Sequence, residues 1–155
     1  MRNWGAKKDF TPTQQYLFLR NNPLCEGTGE VRNGRLIWTY QAQSNPLGRI
    51  YTIEIQFMAG SAPTIFVRDP NIQLLAGDRD LPHIYHNPTS LCLYQPKNQQ
   101  WRPTLRIDQT IVPWTVLWLF FFEEWLESDE WKGEGEHPDP HDGSYSRSTR
   151  RLMSR

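Results

Sequence analysis

Cys92 is the residue of this sequence best suited to covalent chemistry. It lies in an irregular segment in which His83, His86 and Asn87 all occur within the nine residues before it. The thiolate is the nucleophilic form of cysteine, and polar neighbours in a partly exposed loop favour it. The two histidines are candidates for an acid–base pair or for donors to an oxyanion. The alternative is that Cys92 is a small buried packing residue, because free cysteines are among the most buried residues.

Metal and nucleotide chemistry have weaker support in the sequence. His83, His86 and Cys92 lack the paired spacing of a structural zinc site, and the histidines of 137–141 lie in a Gly-, Pro- and Ser-rich tail. No GxGxxG or Walker loop occurs, so the chain is expected to bind neither ATP nor a dinucleotide. The sequence therefore predicts no cofactor and no metal.

Length, charge and cysteine content limit the class of protein. The 155 residues suit one domain, and 17 basic against 17 acidic side chains give no field that attracts nucleic acid or an anionic membrane. Two cysteines are too few for a disulfide scaffold, and Cys25 has no polar cluster around it, which favours a packing role. Met1–Phe10 does not resemble a secretory signal, and the apolar run 111–122 is too short to span a bilayer. A cytoplasmic protein with reduced thiols is expected.

The first half of the chain predicts a helix followed by an antiparallel sheet. Thr11 followed by Pro12 is typical of a helix start, and the helix is expected to end near residue 22. Asn33-Gly34 between apolar segments is a strong hairpin signal. Apolar residues alternate over 51–57, and a short strand is expected over 64–67. These strands form a meander with one face left for a helix to cover.

The second half predicts a long irregular loop and then a helix. Residues 68–103 are rich in Pro, Asn, Asp and Gly, and long loops of this kind are often functional. A helix is expected over 110–128, because its aromatic residues recur at spacings of three and four. The acidic residues of 123–136 are either a solvated helix end or a docking surface for a basic partner. The predicted fold is α+β, with the loop displayed over a sheet and helices.

Several motifs in the second half resemble the active-site region of ubiquitin-conjugating enzymes. Pro82-His83-Ile84-Tyr85, Leu91-Cys92-Leu93 and Trp101-Arg102-Pro103-Thr104-Leu105 occur in the order and at roughly the spacing found in those enzymes. The wider pattern over 82–138 resembles a bacterial branch, the conjugating-enzyme-like proteins encoded in CBASS anti-phage operons. The resemblance implies a single ubiquitin-conjugating-like domain over residues 1–138, and the tail over 139–155 is expected to be disordered.

The resemblance also implies roles for the site residues. Cys92 stands where the family has its nucleophile, which carries an acyl group as a thioester. His83 stands where ubiquitin-conjugating enzymes have an asparagine, and it would donate a hydrogen bond to the oxyanion when an amine attacks. The loop before Cys92 is one residue longer than in those enzymes, so His86 or Asn87 are alternative donors and tentative substrate-binding residues.

Partners follow from the same resemblance. The chain is similar to the stand-alone layout of the branch, in which the conjugating domain is not fused to an activating domain. The acyl donor would be the C-terminal tail of a neighbouring cGAS/DncV-like nucleotidyltransferase, and the acceptor an amine or other nucleophile on a target protein. Activation would require a separate activating enzyme or direct attack on an existing acyl bond. A non-catalytic binding module of the same fold that holds the partner's tail, and a cysteine hydrolase, are the alternative functions.

Overall fold

The computed structural model describes residues 5–94 and 100–133, in which helices flank a four-stranded sheet. The elements are α1 (Pro12–Arg20), β1 (Gly27–Arg32), β2 (Arg35–Gln43), β3 (Ile50–Met58), β4 (Thr64–Asp69), α2 (Ile72–Ala76), β5 (Ile84–Tyr85), β6 (Ser90–Leu91) and α3 (Ile111–Ser128). The predicted α+β fold, with a helix, a meander, an extended loop region and a helix, is confirmed. The predicted tail over 139–155 lies outside the described residues.

Strands β1 to β4 form an antiparallel meander in sequence order. Asn33 and Gly34 join β1 to β2 with φ angles of 51° and 74°, as the tight hairpin turn requires. On β2 and β3, every second side chain is buried: Leu36, Trp38, Tyr40, Ala42, Tyr51, Ile53, Ile55 and Phe57. This alternation places one face of the sheet against the helices, as the period of two predicts.

Helix α1 begins with the expected cap and is joined to the chain before α3 through one buried side chain. The Thr11 hydroxyl accepts a hydrogen bond from the Gln14 backbone, and the Gln14 side chain bonds back to the Thr11 backbone. Gln15 is fully buried, and its amide donates to the Leu105 carbonyl oxygen at 2.8 Å. The Ile107 N–H donates to the Gln15 side-chain oxygen at 2.9 Å. Gln15 thus satisfies two backbone groups that are distant in sequence.

Gln15→Leu should lower the free energy of unfolding by about 2–4 kcal/mol, because it leaves a carbonyl and an N–H without their partner. Chemical denaturation in urea measures this loss. Thr13→Ala, on the exposed side of the same helix, is the control and should change stability by less than about 0.5 kcal/mol. Equal effects of the two substitutions would contradict the assigned role of Gln15.

Helix α3 covers the sheet with an aromatic face. Trp118, Leu119, Phe122 and Trp125 are buried, and Phe122 meets Tyr51 of the sheet edge-to-face at 6.4 Å. The acidic end of α3 is compensated by Arg79, which donates to the carbonyl oxygens of residues 125 and 126 and lies over the Trp125 ring. Within the described part of the chain, no helix is long and apolar enough to cross a membrane.

The segment over 68–103 is more ordered than a featureless loop. It contains helix α2, which Asn71 caps by accepting hydrogen bonds from Gln73 and Leu74, and the two-stranded β5–β6 hairpin. Helix α2 has five residues and each strand of the hairpin has two, so these elements are too short for apolar periodicity to reveal them. The hairpin is the part that matters for function, because it carries the candidate site.

Candidate functional site

The β5–β6 hairpin places His83 directly opposite Cys92. Ile84 pairs with Leu91 in the antiparallel ladder. His83, which precedes Ile84, and Cys92, which follows Leu91, therefore lie opposite one another at the end of the hairpin. The Cys92 N–H donates to the His83 carbonyl oxygen at 3.0 Å. The hairpin therefore brings together the backbones of the predicted nucleophile and the predicted oxyanion donor.

Cys92 is buried but lies outside the main hydrophobic core of the described residues. Its side chain is 7 % exposed, and its thiol donates to the Tyr94 carbonyl oxygen at 3.6 Å. Burial raises the pKa of the Cys92 thiol, and hydrogen bonds from the Tyr85 side chain and the Tyr94 backbone act in the opposite direction. The sequence favoured a partly exposed position for a reactive thiol. The structure instead gives a nearly covered thiol with polar neighbours.

Cys25 provides the contrast within the same chain. It is fully buried in the main core, and its thiol donates to the Leu19 carbonyl oxygen at 3.5 Å. Burial raises the pKa of Cys25 to about 11, with a smaller contribution from Asp108. The interpretation of Cys25 as a packing residue is confirmed.

His83 is held by helix α3 as well as by the hairpin. Its backbone has a φ of 47°, a left-handed conformation in which histidine is one of the more tolerated side chains. The Trp118 indole N–H donates to the His83 carbonyl oxygen at 3.0 Å, and the Trp131 ring stacks on the His83 ring at 4.7 Å. Helical spacing predicts that Trp118 faces the core, but it does not reveal that its N–H reaches a loop carbonyl.

His86 and Asn87 lie at the tip of the hairpin, exposed, beyond the Tyr85–Ser90 pair. They line an open groove of about 640 Å³. The other lining residues are Ala62, Pro63, Thr64, Tyr85, Pro88, Ser90, Leu91, Tyr94, Trp101, Arg102 and Pro103. Tyr85 and Tyr94, which contact Cys92, belong to this lining. The groove therefore extends from the neighbourhood of the thiol to the hairpin tip.

The site contains groups suited to nucleophilic chemistry. Cys92 is the candidate nucleophile, the Tyr85 side chain hydrogen-bonds to its thiol, and the His83 backbone is bonded to its N–H. Over residues 5–94 and 100–133, no three His, Cys, Asp or Glu side chains are grouped so as to hold a metal ion.

The rate of Cys92 alkylation by iodoacetamide should rise about tenfold per pH unit from pH 7 to 9, because the thiolate fraction does so below the pKa. Because burial raises the pKa above the ordinary 9.0, the rise should continue past pH 9. Peptide-level mass spectrometry measures the rate at each pH, and Cys25 should react only after unfolding. A Cys92 rate that levels off below pH 8 would contradict this account.

Comparison with known proteins identifies the family. A family model described as type II CBASS E2 protein matches residues 15–138, which is most of the chain. That range contains the sheet, the hairpin with His83 and Cys92, and helix α3. A search of curated proteins finds no match. The chain belongs to the E2 family of type II CBASS anti-phage defence.

Proposed function

We propose that this CBASS E2 protein is a cysteine acyl carrier, in which Cys92 accepts an acyl group as a thioester and passes it to an amine. The observation that carries the proposal is the pairing of Cys92 with His83 across the end of the hairpin. Cys25, by contrast, lies in the main core, and its N–H donates to the Asn22 carbonyl oxygen at 3.2 Å.

Two steps make up the proposed reaction. In loading, the Cys92 thiolate attacks the carbonyl carbon of an acyl donor, a C–S bond forms, and the donor's leaving group departs with its electron pair. In discharge, an amine attacks the thioester carbonyl, a C–N bond forms, and the C–S bond breaks to return the thiolate. The amine loses a proton to solvent. A free carboxylate does not form a thioester without activation, so the acyl donor must carry a leaving group. The raised pKa of Cys92 also keeps the free thiolate scarce at neutral pH.

His83 is the proposed oxyanion donor in discharge. Its backbone is hydrogen-bonded to that of Cys92, which supports a role for its side chain at the carbonyl of a thioester on the sulfur. A preorganised donor of this kind typically lowers a barrier by about 2.7–4 kcal/mol. His86 and Asn87 lie beyond the Tyr85–Ser90 pair, which is itself two ladder positions from Cys92, and this supports His83 over them.

The acyl donor in this proposal is the C-terminal tail of a neighbouring cGAS/DncV-like nucleotidyltransferase, and the acceptor is a target protein. The groove supports an extended peptide as ligand, since it is open, six of its thirteen lining residues are Tyr, Trp or Pro, and Tyr85 and Tyr94 of the lining contact Cys92. Either a separate activating enzyme supplies the activated tail, or Cys92 attacks an acyl bond that already exists.

Co-expression of this chain with the nucleotidyltransferase of its operon tests the proposal. Non-reducing gels should show an adduct of the two chains that a reducing thiol removes, and mass spectrometry should identify the nucleotidyltransferase tail. Co-purification of the two chains without any adduct would contradict the carrier function.

The burial of Cys92 favours a second candidate function. A thiol only 7 % exposed beside an open aromatic groove fits a module that binds a partner's tail without reacting with it. In that case Cys92→Ala would leave the affinity for the nucleotidyltransferase unchanged, and Tyr94→Ala in the groove would weaken it. The carrier function instead requires covalent capture that depends on Cys92.

A further inference from the structure

Helix α3 contacts the candidate site through a hydrogen bond that packing alone does not require. The Trp118 indole N–H donates to the His83 carbonyl oxygen at 3.0 Å, and the Cys92 N–H donates to the same oxygen, also at 3.0 Å. One carbonyl thus joins the helix, the predicted oxyanion donor and the predicted nucleophile. Trp118 also stacks on Phe122 at 5.0 Å, a contact that a phenylalanine at position 118 would preserve.

The chain after α3 turns back and covers the His83 ring. Asp129 has a φ of 59°, and its N–H donates to the Trp125 carbonyl oxygen at 2.8 Å, which ends the helix. Trp131 then stacks on His83 with 4.7 Å between ring centroids and 28° between planes. The imidazole therefore has an indole against one face.

Trp131 is itself fixed by its neighbours. Its ring lies 5.7 Å from that of Trp118 and 5.9 Å from that of Phe121. A Cβ added at Gly133 would lie 2.6 Å from the Trp131 ring nitrogen and 2.8 Å from the Phe121 ring, so only glycine fits there without a shift. The segment after the helix is packed so closely that Trp131 has little freedom to leave His83.

We propose that Trp118 and Trp131 are positioning residues that orient His83 toward the carbonyl carried on Cys92. Trp118 fixes the backbone of His83 in its left-handed conformation, and Trp131 fixes the plane of the ring. This inference rests on the proposed function, because it gives His83 its role in discharge. The aromatic pattern of helix α3 predicts only a packing role in the core, whereas this inference also gives the helix a role in the reaction.

Single-turnover kinetics test this inference by separating loading from discharge. Trp118→Phe keeps an aromatic ring, smaller than the indole, and removes the N–H, whereas Trp131→Ala removes the stacked ring. Each variant should load Cys92 at about the wild-type rate and discharge to an amine about tenfold or more slowly, because small displacements of a reacting group are costly. Trp131→Phe should restore discharge to within about threefold, since phenylalanine can also stack on imidazole.

Trp125→Phe is the matched control, because it makes the same change in the same helix at a residue that packs on Phe122 and Arg79 instead of His83. It should discharge at the wild-type rate. Circular dichroism and thermal unfolding of all four variants identify any that fail to fold.

The His83 ring-proton resonances provide a readout that requires no acyl donor. The ring current of Trp131 should shift them upfield in the wild type, and Trp131→Ala should abolish the shift. Unchanged resonances in Trp131→Ala, or wild-type discharge by both Trp118→Phe and Trp131→Ala, would overturn the inference. Absence of any thioester in the wild type would instead overturn the proposed function, and the resonances would still decide whether Trp131 orients His83.

Discussion

Replacing Cys92 with alanine is expected to abolish the thiol-sensitive adduct with the partner's tail, a loss of at least about 10³ in the rate of its formation. Alanine has no nucleophile, and no neighbouring side chain can form a thioester in its place. Because Cys92 lies outside the main core, removal of its sulfur should leave the fold intact. Non-reducing gels of the co-expressed chains measure the adduct.

Cys25→Ala is the matched control for this experiment. It removes the same atom from a fully buried core position, so it should lower stability yet leave the adduct intact in the protein that folds. Thermal unfolding of both variants separates the two effects. Loss of the adduct in Cys25→Ala, with retention in Cys92→Ala, would show that Cys25 and not Cys92 is the nucleophile.

His83→Ala is expected to slow discharge to an amine by about 10²–10³ while leaving loading largely in place. The expected size is that of one lost oxyanion donor. His83→Asn should recover part of the rate, since asparagine supplies a donor and tolerates the left-handed backbone at this position. Single-turnover discharge of preloaded protein gives the rates directly.

His86→Ala and Asn87→Ala are the controls at the hairpin tip. Both residues are exposed and lie beyond the Tyr85–Ser90 pair, which is itself two ladder positions from the His83–Cys92 pair, so each variant should discharge at about the wild-type rate. A collapse of discharge in either, with normal discharge in His83→Ala, would move the oxyanion donor to the tip. A parallel loss of loading and discharge in His83→Ala would give His83 a role in loading or in loop structure.

Strong local signals made the scaffold predictable from the sequence. The Thr11 cap with Pro12, the Asn33-Gly34 turn and the alternation over 51–57 each depend on short-range sterics or periodicity, and the structure has all three. The helix over 110–128 follows from its aromatic spacing in the same way, with α3 at Ile111–Ser128. Patterns of this kind predict the individual elements, while tertiary packing assembles them into the fold.

The arrangement of the site depends on tertiary contacts and could not be predicted from local signals. The burial of Cys92 depends on how the hairpin packs, and its two-residue strands are too short to show a period. The hydrogen bond from Trp118 joins residues 35 positions apart, so no spacing rule reveals it. The resemblance to conjugating enzymes predicted the residues, whereas only the structure shows that the backbones of His83 and Cys92 are hydrogen-bonded.

Peptide mapping of the co-expressed chains is the sharpest test of Cys92 as an acyl carrier. Protease digestion without reducing agent should yield a peptide containing Cys92 joined to the C-terminal residues of the nucleotidyltransferase, with the mass of a thioester, and hydroxylamine should release it. A nucleotidyltransferase that co-purifies with this chain while Cys92 is recovered entirely as the free thiol would contradict the acyl-carrier function.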